Sequence, residues 1–160
     1  MITREDFSSL DIFNGFNDDK LNRVLRCAQE FEFKSKEIII EESSISYDLY
    51  LICKGRVSIE LDVMLSQGVQ REQMVILRAG DIFGEIGFLE KKRRSAYVIA
   101  IDDIRALKLD EKQLKDLFGK QYDIGYLFMR NLAVISAQRL IKTNFRWRND
   151  IRMIHPCQKC

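Results

Sequence analysis

The sequence predicts a mainly β protein with flanking helices: an antiparallel jelly-roll barrel, a helix ahead of it and a long helix behind it. Two observations carry this. Between Phe31 and Leu109, short β-branched and aromatic runs alternate with turns built on Gly and Asp, the pattern of many short antiparallel strands. After Leu109 the apolar spacing changes to a helical one.

In chain order, Asp18 or Asp19 can cap a first helix running to about Gln29, with Leu21, Val24, Leu25 and Ala28 on one face. Phe31–Phe33 and Ile38–Ile40 read as strands. Asp48–Ile52 and Arg56–Val63 follow, joined at Lys54-Gly55 as a hairpin. Met64–Gln73 reads as a polar loop around Gly68, Met74–Leu77 as a strand, and Ala79-Gly80-Asp81 as a turn. Tyr97–Ile101 and Arg105–Leu109 are strands around Asp102-Asp103. Asp110 with Gln113 forms a capping box for a helix to Phe118, ended by Gly119.

A long helix is then expected over about 123–145. Leu127, Val134 and Ile141 recur every seven residues, with Met129, Leu132, Ala133 and Leu140 to one side. A helix apolar on more than one side is buried twice. One side packs the barrel, and the seven-residue recurrence suits a parallel two-helix seam, hence a homodimer. The alternative is that both faces pack within one subunit. The expected organisation is one domain over 1–145 and a basic, Cys-containing tail over 146–160.

The 160 residues, 46% hydrophobic, suffice for one domain with a real core. A net charge of +2 does not imply a wholesale nucleic-acid or membrane binder. No apolar run reaches membrane-spanning length, Met1–Leu10 does not resemble a signal peptide, and four cysteines do not make a secreted disulfide framework, so a cytoplasmic location is expected. Charge is uneven: the first turns are acidic, whereas Arg139, Lys142, Arg146, Arg148, Arg152 and Lys159 face only Asp150 after residue 139. Such a run is either a solvated helix face or a patch for an acidic partner.

The stretch with most chemistry is Gly80-Asp81-Ile82-Phe83-Gly84-Glu85-Ile86-Gly87, followed by Arg93-Arg94-Ser95-Ala96. Gly84 and Gly87 permit close approach of the backbone, and a turn opening into a short helix around Ile86–Leu89 presents N–H groups to an anion. Arg94 can hold a phosphate with forked, charge-assisted bonds, and Ser95 adds a hydroxyl. Glu85 is an acceptor and suits a ribose hydroxyl. Alternatively, Arg94 pairs internally with Glu85 or Asp81.

Gly84-Glu85-Ile86-Gly87, Phe88-Leu89 and Arg94-Ser95-Ala96 resemble the phosphate-binding cassette of the cyclic nucleotide-binding domain, in its catabolite activator type. Tyr50–Val57, with its Lys54-Gly55 turn, resembles the family's strand-turn-strand motif, and the likeness covers roughly residues 10–145. The segment Glu90–Arg93 is shorter than the family's usual loop, and Ser95-Ala96 selects Arg94 over Arg93. The resemblance implies ligand contacts from Gly84, Glu85, Ile86, Gly87, Arg94, Ser95 and Ala96. It implies cyclic AMP rather than cyclic GMP as regulatory ligand, and pairing through the long helix. Leu140–Asn144 resembles the part of that helix that meets the base, with Thr143 and Asn144 in the contacting places. The activator type carries a DNA-reading domain; here only 146–160 follows the long helix, so direct DNA binding is not expected and output would pass to an effector protein.

Two other readings stand beside this one. A ligand-blind dimeric interaction module would keep the fold without the binding. A zinc or redox sensor would use His155, Cys157 and Cys160, with a further ligand from Cys27, Cys53 or a second subunit. Cys27 and Cys53 lie in apolar segments and read as small core residues. No nucleophile, base and acid set or His-rich metal centre points to an enzyme, no metal is assigned, and no cofactor beyond the regulatory nucleotide.

Overall fold

A computed structural model describes Phe7 and residues 9–66 and 68–154, the last five of these as backbone. A 3-10 turn at Asp11–Phe13 precedes helix α1 (Asp18–Leu25). The strands are β1 (Ala28–Phe33), β2 (Ile38–Ile40), β3 (Leu49–Lys54), β4 (Arg56–Leu65), β5 (Gly68–Arg78), β6 (Ile82–Phe83), β7 (Tyr97–Ala100) and β8 (Ile104–Leu109). Helix α2 (Glu85–Glu90) lies between β6 and β7, and α3 (Glu111–Lys120) and α4 (Tyr122–Ile154) follow β8.

The expected jelly roll is present as two four-stranded antiparallel sheets, ordered β1-β8-β3-β6 and β2-β7-β4-β5. They are not closed into a barrel. Side chains alternate across each strand, so the first sheet is the middle layer of three. Ile52, Ile104 and Ala106 face the second sheet, packing with Val57, Phe83 and Val98. Leu49, Leu51 and Leu109 face the helices, packing with Phe13, Leu21, Leu114 and Phe128.

Two strand expectations need correction. Lys54-Gly55 is not a hairpin, because β3 and β4 belong to different sheets. It is a corner where the chain changes layer, and Gly55 has φ +88° with Asp103 O and Ile104 Cδ1 only 2.7 Å from where a Cβ would sit. The polar stretch around Gly68 is not a loop either: β5 starts there and pairs with β4 from Leu65↔Gly68 to Arg56↔Arg78. Cross-strand pairing outweighed its polar composition.

Helix bounds also differ. Asn17, not Asp18 or Asp19, caps α1 by accepting from Lys20 N at 3.0 Å, and α1 stops at Leu25 because Ala28 already pairs with Leu109. Asp110 caps α3 as expected, accepting from Gln113 N at 2.9 Å, but Gly119 lies inside α3. Helix α4 spans 33 residues, continuing through Arg146 to Ile154, a length of about 50 Å.

The buried face of α4 is Ile124, Phe128, Asn131 and Leu132, with Leu127 and Ile135 half-buried. Asn131 donates to Ile12 O at 3.0 Å and Asn14 O at 2.8 Å, pinning the 3-10 turn to the helix. Of the residues expected on the packing side, only Leu132 is buried; Met129, Ala133 and Leu140 are exposed, as are Val134 and Ile141.

Candidate functional site

The turn at Ala79–Asp81 returns the chain into β6, which pairs with β3 at Tyr50↔Phe83 and Leu51↔Ile82. Gly84 leaves β6 in the left-handed region, φ 86° and ψ 8°, and starts α2. A Cβ there would lie 2.8 Å from Arg94 Nη1 and 2.9 Å from Asp48 O. One at Gly87 would lie 3.1 Å from Arg94 Nη1. Both glycines therefore make room for one guanidinium.

Arg94 is only 4% exposed. Its Nε donates to Ser46 Oγ at 2.8 Å, Nη1 to Gly84 O at 2.9 Å and Nη2 to Asp48 O at 2.8 Å. Its backbone is fixed as well, Arg94 N donating to Ser44 O and Ser43 N to Arg94 O. All three side-chain acceptors are neutral, and no carboxylate pairs with Arg94 among the described residues. A guanidinium has five N–H donors; three are used, leaving two. Desolvation lowers the Arg94 pKa, partly offset by Tyr50, Asp48 and Glu85. A buried cation with no directly paired carboxylate is energetically unfavourable.

Glu85 turns instead to α4, where Arg139 Nη1 donates to its Oε1 at 3.0 Å. Arg139 Nη2 also donates to Ile82 O. Further along α4, Arg146 Nη1 donates to Met74 O on β5 at 2.8 Å. Arg139, Thr143 and Arg146 follow i, i+4, i+7 spacing and share one side of the helix, so Thr143 lies between two anchors to the sheets. Asn144 is turned about 100° further round.

The expected residues thus fall into two groups. Gly84, Glu85, Gly87 and Arg94 converge. Ile86 is 47% exposed at the surface of α2, Ser95 is exposed and Ala96 is half-buried at the entry to β7. Thr143 and Asn144 are exposed on α4, and their side chains make no hydrogen bond among the described residues. The internal pairs expected for Arg94 as an alternative do not form: Asp81 accepts from Arg78 N, and Glu85 pairs with Arg139. Sequence reading missed Ser46, Asp48 and Arg139. Only Arg139 had a signal, its i, i+4 spacing to Thr143.

His155, Cys157 and Cys160 lie outside the described residues, and no group of His, Cys, Asp or Glu among the described ones could hold a metal. Burial pushes the Cys27 and Cys53 thiols up in pKa, as for inert packing residues. No described helix is long and apolar enough to cross a membrane.

Two sheets, a glycine-started helix and a buried arginine held by three neutral oxygens define a jelly-roll domain. The family profile "Cyclic nucleotide-binding domain" matches residues 30–121, more than half of the chain, and the chain belongs to this family. It is 26% identical over 129 residues to the cyclic AMP receptor protein of Thermus thermophilus, covering 81% of this chain and 56% of that one. It is 28% identical over 135 residues to the dog cyclic nucleotide-gated channel beta-3, covering 82% of this chain and 17% of the channel. The chain therefore spans about half of the first relative and a small part of the second. Among solved structures, a cyclic nucleotide-binding domain from Methylobacillus flagellatus superposes with TM-score 0.79 at 20% identity, covering 89% of this chain and 78% of that one. The Thermus thermophilus catabolite activator protein superposes with TM-score 0.73 at 24% identity, covering 86% and 62%. The domain is a cyclic nucleotide-binding regulatory domain, with the catabolite activator protein among the proteins it is similar to.

Proposed function

We propose that this domain senses cyclic AMP, in preference to cyclic GMP, and signals through α4 to a partner protein. The observation that carries this reading is Arg94: buried, held by three neutral oxygens, and keeping two donors for an anion. In this reading the cyclic phosphate meets Arg94, Ser95 and the backbone from Gly84 through Ile86 to Gly87, with Ala96 beside it. Glu85 keeps Oε2 for a ribose hydroxyl while Oε1 holds Arg139. The base lies toward Thr143 and Asn144. The Arg94-Ser95-Ala96 pattern and the likeness to a cyclic AMP receptor protein support cyclic AMP. Because Arg139 joins Glu85 to α4, ligand that prefers one position of α4 shifts its population.

The same helix offers a dimer seam. Tyr126, Met129, Ala133, Leu140 and Trp147 form an exposed stripe at steps of three, four, seven and seven residues, the spacing of a two-helix contact. We place the homodimer contact on this stripe.

Arg94→Ala tests the site. Charge-assisted hydrogen bonds contribute about 1.5–3 kcal/mol each, and 1.4 kcal/mol is tenfold, so cyclic AMP affinity measured by calorimetry should fall at least about 100-fold. Unchanged affinity in folded Arg94→Ala protein contradicts the proposal.

A further inference from the structure

We infer that Asp48 is a positioning residue that ties the anion-holding arginine to the helical pair α3–α4. Its backbone carbonyl holds Arg94 and its carboxylate holds the start of α3. For its ligand this inference rests on the cyclic nucleotide reading above; the connection itself rests on geometry.

Asp48 O accepts from Arg94 Nη2 at 2.8 Å. Asp48 Oδ1 accepts from Glu111 N, the first residue of α3, at 3.0 Å, and Oδ2 pairs with Lys108 Nζ at 3.0 Å. The Glu111 carboxylate in turn receives Lys91 Nζ. Lys91 closes α2 in the left-handed region, φ 56°, with its ammonium 5.0 Å from the Phe88 ring and 5.3 Å from the Tyr47 ring. A non-glycine residue held there is strained and persists only where its surroundings fix it. The chain of contacts is closed. It runs from Gly84 at the start of α2 to Arg94, Asp48, Glu111 and Lys91 at the end of α2.

Two consequences follow. The Asp48 carboxylate is committed to Lys108 and an α3 amide, so it forms no ion pair with Arg94, whose remaining donors stay available to an anion. A shift of the guanidinium toward a bound phosphate also pulls on the residue whose carboxylate holds the first amide of α3. Asp48 immediately precedes Leu49, which pairs with Leu109, so it stands where the sheet gives way to α3. This route is separate from the direct Glu85–Arg139 link to α4.

The test uses the full chain with Asp48→Ala, Asp48→Asn and Arg94→Lys. Without ligand, amide hydrogen exchange over residues 111–118 should quicken several-fold in Asp48→Ala. It should also quicken in Arg94→Lys, although Arg94 touches no residue of α3 among its described contacts. With saturating cyclic AMP, the emission change of Trp147, the single tryptophan, should fall by more than half in Asp48→Ala. Asp48→Asn, which keeps an acceptor for Glu111 N, should restore most of it. A full Trp147 response in saturated Asp48→Ala overturns the coupling, and so does unchanged exchange at 111–118 in Arg94→Lys. Quickened exchange in Arg94→Lys with no wild-type response to cyclic AMP supports the connection and overturns only the nucleotide reading.

Discussion

The guanidinium of Arg94 and the backbone of Gly84 are one arrangement. Gly84 adopts φ 86°, and a methyl group there would meet both Arg94 Nη1 and Asp48 O. An L-residue in that region costs about 1–2 kcal/mol, and the clash adds displacement of Arg94. Gly84→Ala is therefore expected to lower stability by at least about that amount in denaturant unfolding, and to weaken cyclic AMP binding along with it. Wild-type stability in that variant would show the turn to be tolerant. The glycines and the arginine were legible in the sequence because their roles are local: spacing and residue type suffice. Ser46 and Asp48 were not, because they act on Arg94 from 48 and 46 positions away, respectively, and Asp48 acts through a carbonyl that every residue possesses.

Among elements, α4 matters most. Its inner face is set by Ile124, Phe128 and Leu132, and its two arginine contacts carry it past α2 and β5. The proposed seam is its outer stripe, where Leu140 is 61% exposed and Trp147 67%. Leu140→Glu places a charge in that stripe without touching the core, and we expect a dimer-to-monomer shift in sedimentation velocity with unchanged far-UV circular dichroism. A dimer that survives Leu140→Glu would put the contact elsewhere. Sequence periodicity located this helix but not its faces. Met129, Leu132, Ala133 and Leu140 all look alike as apolar residues, and only the position of the 3-10 turn against Asn131 decides which of them is covered. The strands tell a similar story. Local runs gave seven of them, but the layer change at Gly55 and the start of β5 at Gly68 depend on partners far along the chain.

At the scale of the whole molecule, three layers hold the cassette between a fixed sheet and a long helix. The corner at Gly55, the cap at Asp110 and the Asn131 pins fix the scaffold, whereas among the described residues the polar contacts of α4 with the cassette are Glu85–Arg139 and Arg139–Ile82, with Arg146–Met74 joining α4 to β5. Such a division suits a sensor, because polar contacts exchange with a ligand more readily than packed apolar surface does. On binding, α4 is expected to move relative to the sheets, while the two sheets keep their arrangement.

The most direct test of the central claim is isothermal titration calorimetry of the purified chain with cyclic AMP and then cyclic GMP. Saturable binding of cyclic AMP at micromolar or tighter affinity, stronger than that of cyclic GMP, is the predicted result. No heat from either nucleotide on folded protein would contradict it, and would make the cassette a scaffold whose buried arginine serves the fold alone.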